Sequence, residues 1–154
     1  MDYDIDVVEA QATVMAVARD TLAQDQISGR ILHLFDLVYA FLANAEVKQA
    51  GHNIAIYLNN HIDLEVGVPV TAPFEDTANV FCSSSPAGRS AHTVHYGPYS
   101  RLGDANRAVQ KWCKNQGEAT SGISWEVYGH WNDDPSLLRT DVYWLLTDMQ
   151  PDNA

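Results

Sequence analysis

The second half of this 154-residue sequence repeats the first half, and this repetition limits the possible folds more than any other feature. Each half contains a helical pattern in which apolar residues recur at three-four spacing. The first helix is predicted to begin near Ser28, a plausible N-cap, and the second near Ser100 or Leu102. The apolar stripes are Ile31, Leu34, Phe35, Val38, Phe41, Leu42 and Ala45 in the first helix, and Leu102, Ala105, Val109, Trp112 and Cys113 in the second.

Equivalent positions can be assigned along most of the two halves. The helix and the strand after it align at a constant offset, which pairs Ile31 with Leu102, Val38 with Val109, Phe41 with Trp112, Asn44 with Asn115, Gly51 with Gly122 and Tyr57 with Tyr128. The strands before the helices align at a slightly different offset, with Val14 opposite Ala91 and Val17 opposite Val94. Each helix is followed by a glycine-bounded turn and two strands, and segment 62–70 alternates as a half-buried strand should.

The order of elements in each half is therefore strand, strand, helix, strand, strand. We expect one domain over 1–154, with an internal repeat of about 1–70 and 77–148 joined by a linker at 71–76. Two copies are too few for a solenoid. The predicted class is α+β, in which duplicated βαββ-type units share an antiparallel sheet with two helices.

Composition and charge exclude several functions. A hydrophobic content of 46% without low-complexity tracts indicates a globular chain, and the net charge of −11 argues against nucleic-acid binding. The same charge is compatible with attracting cations. No apolar run reaches membrane-spanning length, so we expect no membrane partner, and the acidic N-terminus lacks a signal-peptide pattern, so we expect a cytoplasmic protein.

The repeat is broken at Glu126, where the first half carries Ala55. Strand alternation places Glu126 on one face with Ser124 and Tyr128. Glutamate is depleted in strands and costly to bury unpaired, so this face is either solvated or lines a groove in which a cation offsets the desolvation. Ala55 and Tyr57 on the equivalent face favour the groove.

The aromatic residues, together with the absence of metal-binding and catalytic motifs, limit the kinds of ligand and reaction that the sequence supports. Most of the four Trp, seven Tyr and four Phe should pack in the core, but a few around a carboxylate would form a cage for a flat cation. Phe41 and Trp112 are expected to approach each other across a pseudo-twofold axis. His92 and His95 point to opposite strand faces, and no metal-ligand, phosphate-loop, dinucleotide or nucleophile-elbow motif is present. We therefore expect no metal and no cofactor.

Several segments together resemble the GyrI-like small-molecule-binding domain. They are His95-Tyr96-Gly97-Pro98-Tyr99, Trp112, Glu126-Val127-Tyr128, Thr140-Asp141-Val142-Tyr143 and, in the first half, 64–70, in the right order over nearly the whole chain. The resemblance implies a duplicated βαββ fold that serves multidrug-responsive transcription regulators as an effector-binding domain, or stands alone. It also implies that lipophilic aromatic cations bind in a cleft between the halves against a buried glutamate, which maps onto Glu126.

The resemblance also implies that aromatic residues line the pocket. The best candidates are Tyr57, Trp112 and Tyr143, and the further candidates are Phe41, Tyr96 and Tyr128. An insert-like loop at 131–135 could shape the pocket mouth. Because the sequence shows no DNA-binding helix-turn-helix region, we expect a stand-alone form.

Three functions compete on these grounds. The leading hypothesis is the binding of amphipathic cationic small molecules, with Glu126 neutralising the cation. The second is a hydrolase that opens strained rings in toxic natural products, with Glu126 as general base and Tyr57 or Tyr143 positioning the substrate. Binding is preferred because the sequence pairs no second catalytic group with Glu126. The third is a gyrase-interacting inhibitor, for which no surface can be named, so any protein partner is unknown.

Overall fold

The computed structural model describes residues 3–21, 27–58 and 63–147, without the side chains of 27–29. Its class is α+β with antiparallel strands and two long helices, as predicted. The strands are β1 (Asp6–Ala10), β2 (Val14–Thr21), β3 (Ile54–Tyr57), β4 (Asp63–Pro69), β5 (Phe81–Ser84), β6 (Gly88–Tyr96), β7 (Thr120–Tyr128) and β8 (Arg139–Leu146). The helices are α1 (Ile27–Leu42) and α2 (Leu102–Gln116). In the described ranges, neither helix has the length and apolar character needed to cross a bilayer.

The chain forms two compact units. The N-unit is Gln11–Pro86, and the C-unit combines Met1–Ala10 with Ala87–Ala154. The N-unit holds α1 and the strands in the order β3, β4, β2, β5, while the C-unit holds α2 and the strands in the order β1, β6, β8, β7. All strand pairs within each unit are antiparallel.

The compact units do not coincide with the two repeats of the sequence. Each repeat supplies its elements in the predicted order of two strands, a helix and two strands. However, the first strand of each repeat pairs with the second strand of the other, since β1 pairs with β6 and β5 pairs with β2. Each unit is therefore completed by one strand from the other repeat.

The strand register corrects part of the sequence alignment. Ala55 of β3 lies opposite Val66 of β4, and Glu126 of β7 lies opposite Val142 of β8. If Ala55 and Glu126 are equivalent, the register along β4 and β8 makes Val17 equivalent to His92. The alignment of Val17 with Val94 was wrong by two residues. A shift of two residues keeps every side chain on the same face of the strand, so the alternation of apolar and polar residues could not detect it.

The core of the C-unit lies between α2 and one face of its sheet. It consists of Ala91, Leu102, Ala105, Val109, Cys113, Val142 and Leu146. The predicted stripe of α2 is confirmed, since four of its five residues are buried and Trp112 is partly buried against the same cluster. Gly117 ends the helix with a φ of 72°, and its N–H bonds to carbonyls of the last turn.

The structure differs from the prediction at one glycine, Gly122, and at the start of the first helix. Gly122 does not precede a strand but lies within β7, at a register shift between Thr120 and Ser124, with a φ of 94°. A positive φ suits glycine and marks a bulge here. The first helix begins at Ile27, one residue before Ser28, whose side chain lies outside the described part of the chain. In α1, Leu34, Phe35 and Val38 are buried as predicted.

The centre of β4 is buried on both faces, whereas the alternation of apolar and polar residues predicted burial of one face only. Leu64, Glu65, Val66 and Val68 are each at most 7% exposed. Gly67 in the same strand lies so close to β2 that an added Cβ would be 1.8 Å from the carbonyl oxygen of Ala16. Only glycine allows this approach between the two backbones.

We expect Gly67→Ala to destabilise the protein by at least about 3 kcal/mol, because the clash is with backbone and cannot be relieved by a rotamer change. The matched control is Gly103→Ala at an exposed position of α2, where the nearest atom belongs to the flexible guanidinium of Arg107 at 3.0 Å. That change should leave the free energy of unfolding unchanged or raise it by up to about 1 kcal/mol. Urea unfolding of both variants checks this, and equal effects would contradict it.

Candidate functional site

Glu126 lies in β7, two residues before its end, and is only 6% exposed. Its cross-strand partner Val142 belongs to the core beneath α2, and directly opposed residues of antiparallel strands share a face. The carboxylate therefore points toward α2, and the solvated alternative for this position is wrong.

Two neutral donors hold the Glu126 carboxylate. The Asn106 side chain on α2 donates from Nδ2 to Oε2 at 3.0 Å, and the Tyr128 hydroxyl donates to Oε1 at 2.7 Å. Hydrogen bonds to a charged group contribute more than those between neutral groups, about 1.5–3 kcal/mol each. Both donors are neutral groups, and both hydrogen bonds stabilise the carboxylate.

The orientation of Asn106 is fixed by Trp144 on β8. The Trp144 indole Nε1–H, which can only donate, bonds to Asn106 Oδ1 at 2.9 Å. The amide nitrogen must then face the other way, where it reaches Glu126 and also the Leu102 carbonyl at 3.1 Å. Trp144 thus acts on the carboxylate through Asn106.

An aromatic cluster adjoins this network inside the C-unit. The Tyr128 ring meets the Tyr99 ring edge-on, with centroids 5.4 Å apart at 68°. Tyr99 is also 6.5 Å from the ring of Trp131. Burial raises the pKa of the Tyr99 phenol, so this ring stays neutral at physiological pH.

Thr140 carries an unsatisfied polar atom next to the same network. It lies directly opposite Tyr128 in the pairing of β7 with β8, and it is fully buried. Within the described part of the chain its hydroxyl has no hydrogen-bond partner. A buried hydroxyl in this state costs about 1–3 kcal/mol, and such groups are uncommon away from functional sites.

Tyr143, one of the predicted pocket aromatics, lies on the face of the C-unit sheet opposite Glu126. Its ring stacks on Trp125 at 4.9 Å with planes 5° apart, and it also packs against His92 at 4.7 Å. Tyr143 pairs with Trp125 in the register, one residue away from the Glu126–Val142 pair. The β8 aromatic on the Glu126 side is its neighbour Trp144, which the sequence argument did not select.

The same face holds an ionic cluster around Asp141. His92 Nε2 lies 2.9 Å from Asp141 Oδ2, and Arg139 Nε donates to Oδ1 at 2.9 Å. Burial raises the pKa of Asp141, but the bonds from His92 and Arg139 outweigh it and lower the pKa from 3.8 to about 2. This cluster is structural and separate from the Glu126 network.

The other predicted site residues lie in several places. Trp112 packs on the core of the C-unit, and Tyr96 is 56% exposed at the end of β6. Phe41 and Tyr57 belong to the N-unit, where the Phe41 ring contacts Phe74 at 4.8 Å and Tyr57 ends β3. Among the predicted residues, Tyr128 donates a hydrogen bond to Glu126 at 2.7 Å.

A second buried glutamate was missed by the sequence argument. Glu65 in β4 is 7% exposed and accepts from Arg19 Nε at 2.7 Å and from the Ser83 hydroxyl at 2.9 Å. The Arg19 guanidinium lies over the Phe81 ring, 4.5 Å from its centroid. The signal in the sequence was a glutamate between apolar residues of segment 62–70. The alternation of apolar and polar residues in that segment placed this glutamate on the solvated face.

The histidines and cysteines do not form a metal centre in the described ranges. Over residues 3–21, 27–58 and 63–147, no group of three or more His, Cys, Asp or Glu side chains is arranged to hold a metal ion. His95 is fully buried between the Tyr3 hydroxyl at 2.9 Å and the Pro98 carbonyl at 3.2 Å. Cys113 is a buried free thiol, and burial raises its pKa.

Comparison with known proteins identifies the fold. No model of a known protein family matches the sequence, and no curated protein does. The crystal structure of the EcmrR C-terminal domain matches with a TM-score of 0.82 at 17% identity, covering 97% of this chain and 100% of that one. An EcmrR chain in a cryo-EM complex with DNA matches with a TM-score of 0.84 at 16% identity, covering 96% of this chain.

This chain has the GyrI-like fold. It spans 58% of the length of the EcmrR chain in the DNA complex. The structure of SAV2435 bound to tetraphenylphosphonium shares the GyrI-like fold with a TM-score of 0.63 at 12% identity, covering 99% of this chain and 98% of that one. A hydrolase from Listeria innocua matches with a TM-score of 0.61 at 10% identity, covering 93% of this chain and 91% of that one.

The lowered pKa of Asp141 predicts a pH-dependent contribution to the stability of this GyrI-like fold. A carboxyl with a folded-state pKa of about 2 and an ordinary value of 3.8 stabilises the protein above pH 4 and loses this effect as the pH falls toward 2. Asp141→Asn should therefore lower the free energy of unfolding at pH 7 by up to about 2 kcal/mol.

The difference between Asp141→Asn and the parent should shrink between pH 4 and pH 2. Urea titrations across this range measure it, and the exposed Asp36→Asn in α1 is the control, which should follow the parent. A difference that stayed constant over the whole range would contradict the assignment.

Proposed function

We propose that this protein binds flat, lipophilic organic cations in the C-unit, with Glu126 as the charged anchor. The observation that carries the proposal is a carboxylate only 6% exposed, held by two neutral donors and adjoining a cluster of aromatic rings. Removing a carboxylate from water costs several kcal/mol. A ligand cation would add Coulomb attraction in a poorly solvated site, and the ring faces would add about 0.5–2 kcal/mol each.

The N-unit supports this choice of ligand because it contains a comparable complex built from its own side chains. Glu65 is buried to almost the same extent as Glu126, and Arg19 supplies a planar cation to it. The guanidinium carbon of Arg19 lies over the Phe81 ring, 4.5 Å from its centroid. A carboxylate, a planar cation and an aromatic ring thus form a stable arrangement in this protein, and a ligand at Glu126 would reproduce it.

The structural neighbours support the same ligand class. SAV2435 has been seen with tetraphenylphosphonium, a lipophilic cation. The likeness to EcmrR favours an effector-binding module of the kind found in transcription regulators. This chain spans only part of the DNA-bound EcmrR chain, and the activity that we propose for it is ligand binding.

Replacement of Glu126 by glutamine tests the proposal. Glu126→Gln keeps the shape and removes the charge, so it should weaken tetraphenylphosphonium binding by about 10–100-fold, equivalent to one charge-assisted contact of 1.4–2.8 kcal/mol. Isothermal titration calorimetry measures the affinity. Tetraphenylborate, of the same size and opposite charge, should bind the parent far more weakly than the cation.

The control for net charge is Glu9→Gln, which removes one exposed charge from β1 of the same unit and should leave the affinity unchanged. Unfolding curves confirm that each variant is folded. If folded Glu126→Gln binds the cation as tightly as the parent, the proposal is wrong.

A second candidate is hydrolysis at the same carboxylate. The Tyr128 hydroxyl lies 2.7 Å from Glu126 Oε1, a partner that the sequence argument lacked, and the fold occurs in a Listeria innocua hydrolase. Glu126 would take a proton from water as the water oxygen attacks a carbon of a strained ring, and protonated Glu126 would return that proton to the ring oxygen as its carbon–oxygen bond breaks, which regenerates the carboxylate. On this candidate, styrene oxide should yield its diol with the parent and not with Glu126→Gln, as measured by mass spectrometry.

A further inference from the structure

A continuous path of aromatic rings connects the surface of the C-unit to Glu126. Trp131 is 70% exposed and its ring centroid lies 6.5 Å from that of Tyr99, which is 38% exposed. Tyr99 lies 5.4 Å from Tyr128, and the Tyr128 hydroxyl bonds to Glu126 at 2.7 Å. Exposure therefore falls along the path, from an open indole to a carboxylate that is 6% exposed. We name Trp131, Tyr99 and Tyr128 the aromatic path.

The outer end of the path is held in place although it is exposed. The Trp131 indole donates to Asp133 Oδ1 at 3.1 Å, and Asp134 accepts from the Ser136 N–H at 3.0 Å, which caps a short 3₁₀ turn. The Gly97 N–H donates to the Leu138 carbonyl at 2.9 Å and so ties the β7–β8 loop to the segment that carries Tyr99. Ordering an exposed tryptophan in this way contributes little to the core, which suggests a role outside folding.

A single exposed tryptophan is ordinary on a protein surface. Trp131 differs because its ring is the first of a series that ends at a buried carboxylate, and because Asp133 and Asp134 adjoin it. Aromatic faces attract cations, and acidic neighbours raise the local cation concentration. The occupant that fits this chemistry is a flat organic cation moving toward Glu126.

We propose, resting on the proposed function, that Trp131 and Tyr99 form a capture site through which the cation reaches Glu126. The ligand stacks on the outer rings first and then moves inward along Tyr128. The outer rings therefore stabilise the transition state for binding and leave the bound state largely unaffected. Glu126, in contrast, stabilises the bound state.

This division of roles has a kinetic signature. Trp131→Ala should lower both the association and the dissociation rate constants of a flat cationic dye, rhodamine 6G, by about 3–10-fold, and leave Kd within about twofold. Trp131→Phe keeps a ring and should restore most of both rates. Glu126→Gln should raise Kd mainly by faster dissociation. Stopped-flow fluorescence measures both rate constants, and because Trp131 is 70% exposed, its variants should fold as the parent does.

Leu137→Ala is the matched control. Leu137 is 58% exposed on the same loop and lies outside the aromatic path, so its removal should change neither rate constant. If Trp131→Ala leaves association unchanged while Glu126→Gln still weakens binding, the path is wrong and the proposed function stands. If Trp131→Ala only speeds dissociation, Trp131 contacts the bound ligand and the capture role is wrong. If Glu126→Gln binds like the parent, the proposed function itself fails.

Discussion

The contact between the Glu126 carboxylate and its two neutral donors is the interaction on which the site of the C-unit depends. A carboxylate in the middle of a strand must be solvated, neutralised by protonation or held by donors. Here the donors come from two directions, Tyr128 on the same strand and Asn106 on the helix above it. The contact thus fixes the position of α2 against β7 as well as the geometry of the anion. Trp144 completes the arrangement, because its N–H determines which end of the Asn106 amide faces the carboxylate.

The two buried glutamates, Glu65 and Glu126, have different hydrogen-bond donors in the described structure. Glu65 has a cation of its own, Arg19, with a guanidinium that also lies on an aromatic ring. An incoming cation at Glu65 would have to displace Arg19 and leave a half-buried guanidinium without its partner. At Glu126, the donors Asn106 and Tyr128 can stay bonded to the carboxylate while a cation approaches.

The sequence predicted the fold well, because helix periodicity and the internal repeat are local patterns that the structure preserves. The burial of Glu126 could be inferred because Ala55 marks the equivalent position as apolar. The partners of Glu126 could not be inferred, since Asn106 and Trp144 are brought to it only by the packing of α2 on β8. Tyr143 was selected in place of Trp144 because the strand pairing that assigns their faces is not visible in a single sequence. The first strand of each repeat pairs with the second strand of the other repeat, which is also a long-range pairing that a single sequence does not reveal.

Tyr128 connects the two parts of the proposed mechanism. Its hydroxyl is bonded to the anchor, and its ring faces Tyr99 on the path from the surface. A cation that stacks against this ring is drawn inward by the carboxylate, and the hydroxyl can remain bonded to one oxygen while the other oxygen meets the ligand. Thr140, opposite Tyr128, has a buried hydroxyl with no partner in the described chain, so polar capacity remains at the inner end of the path. A ligand with a hydrogen-bonding group beside its charge would therefore gain more here than a purely apolar cation of the same size.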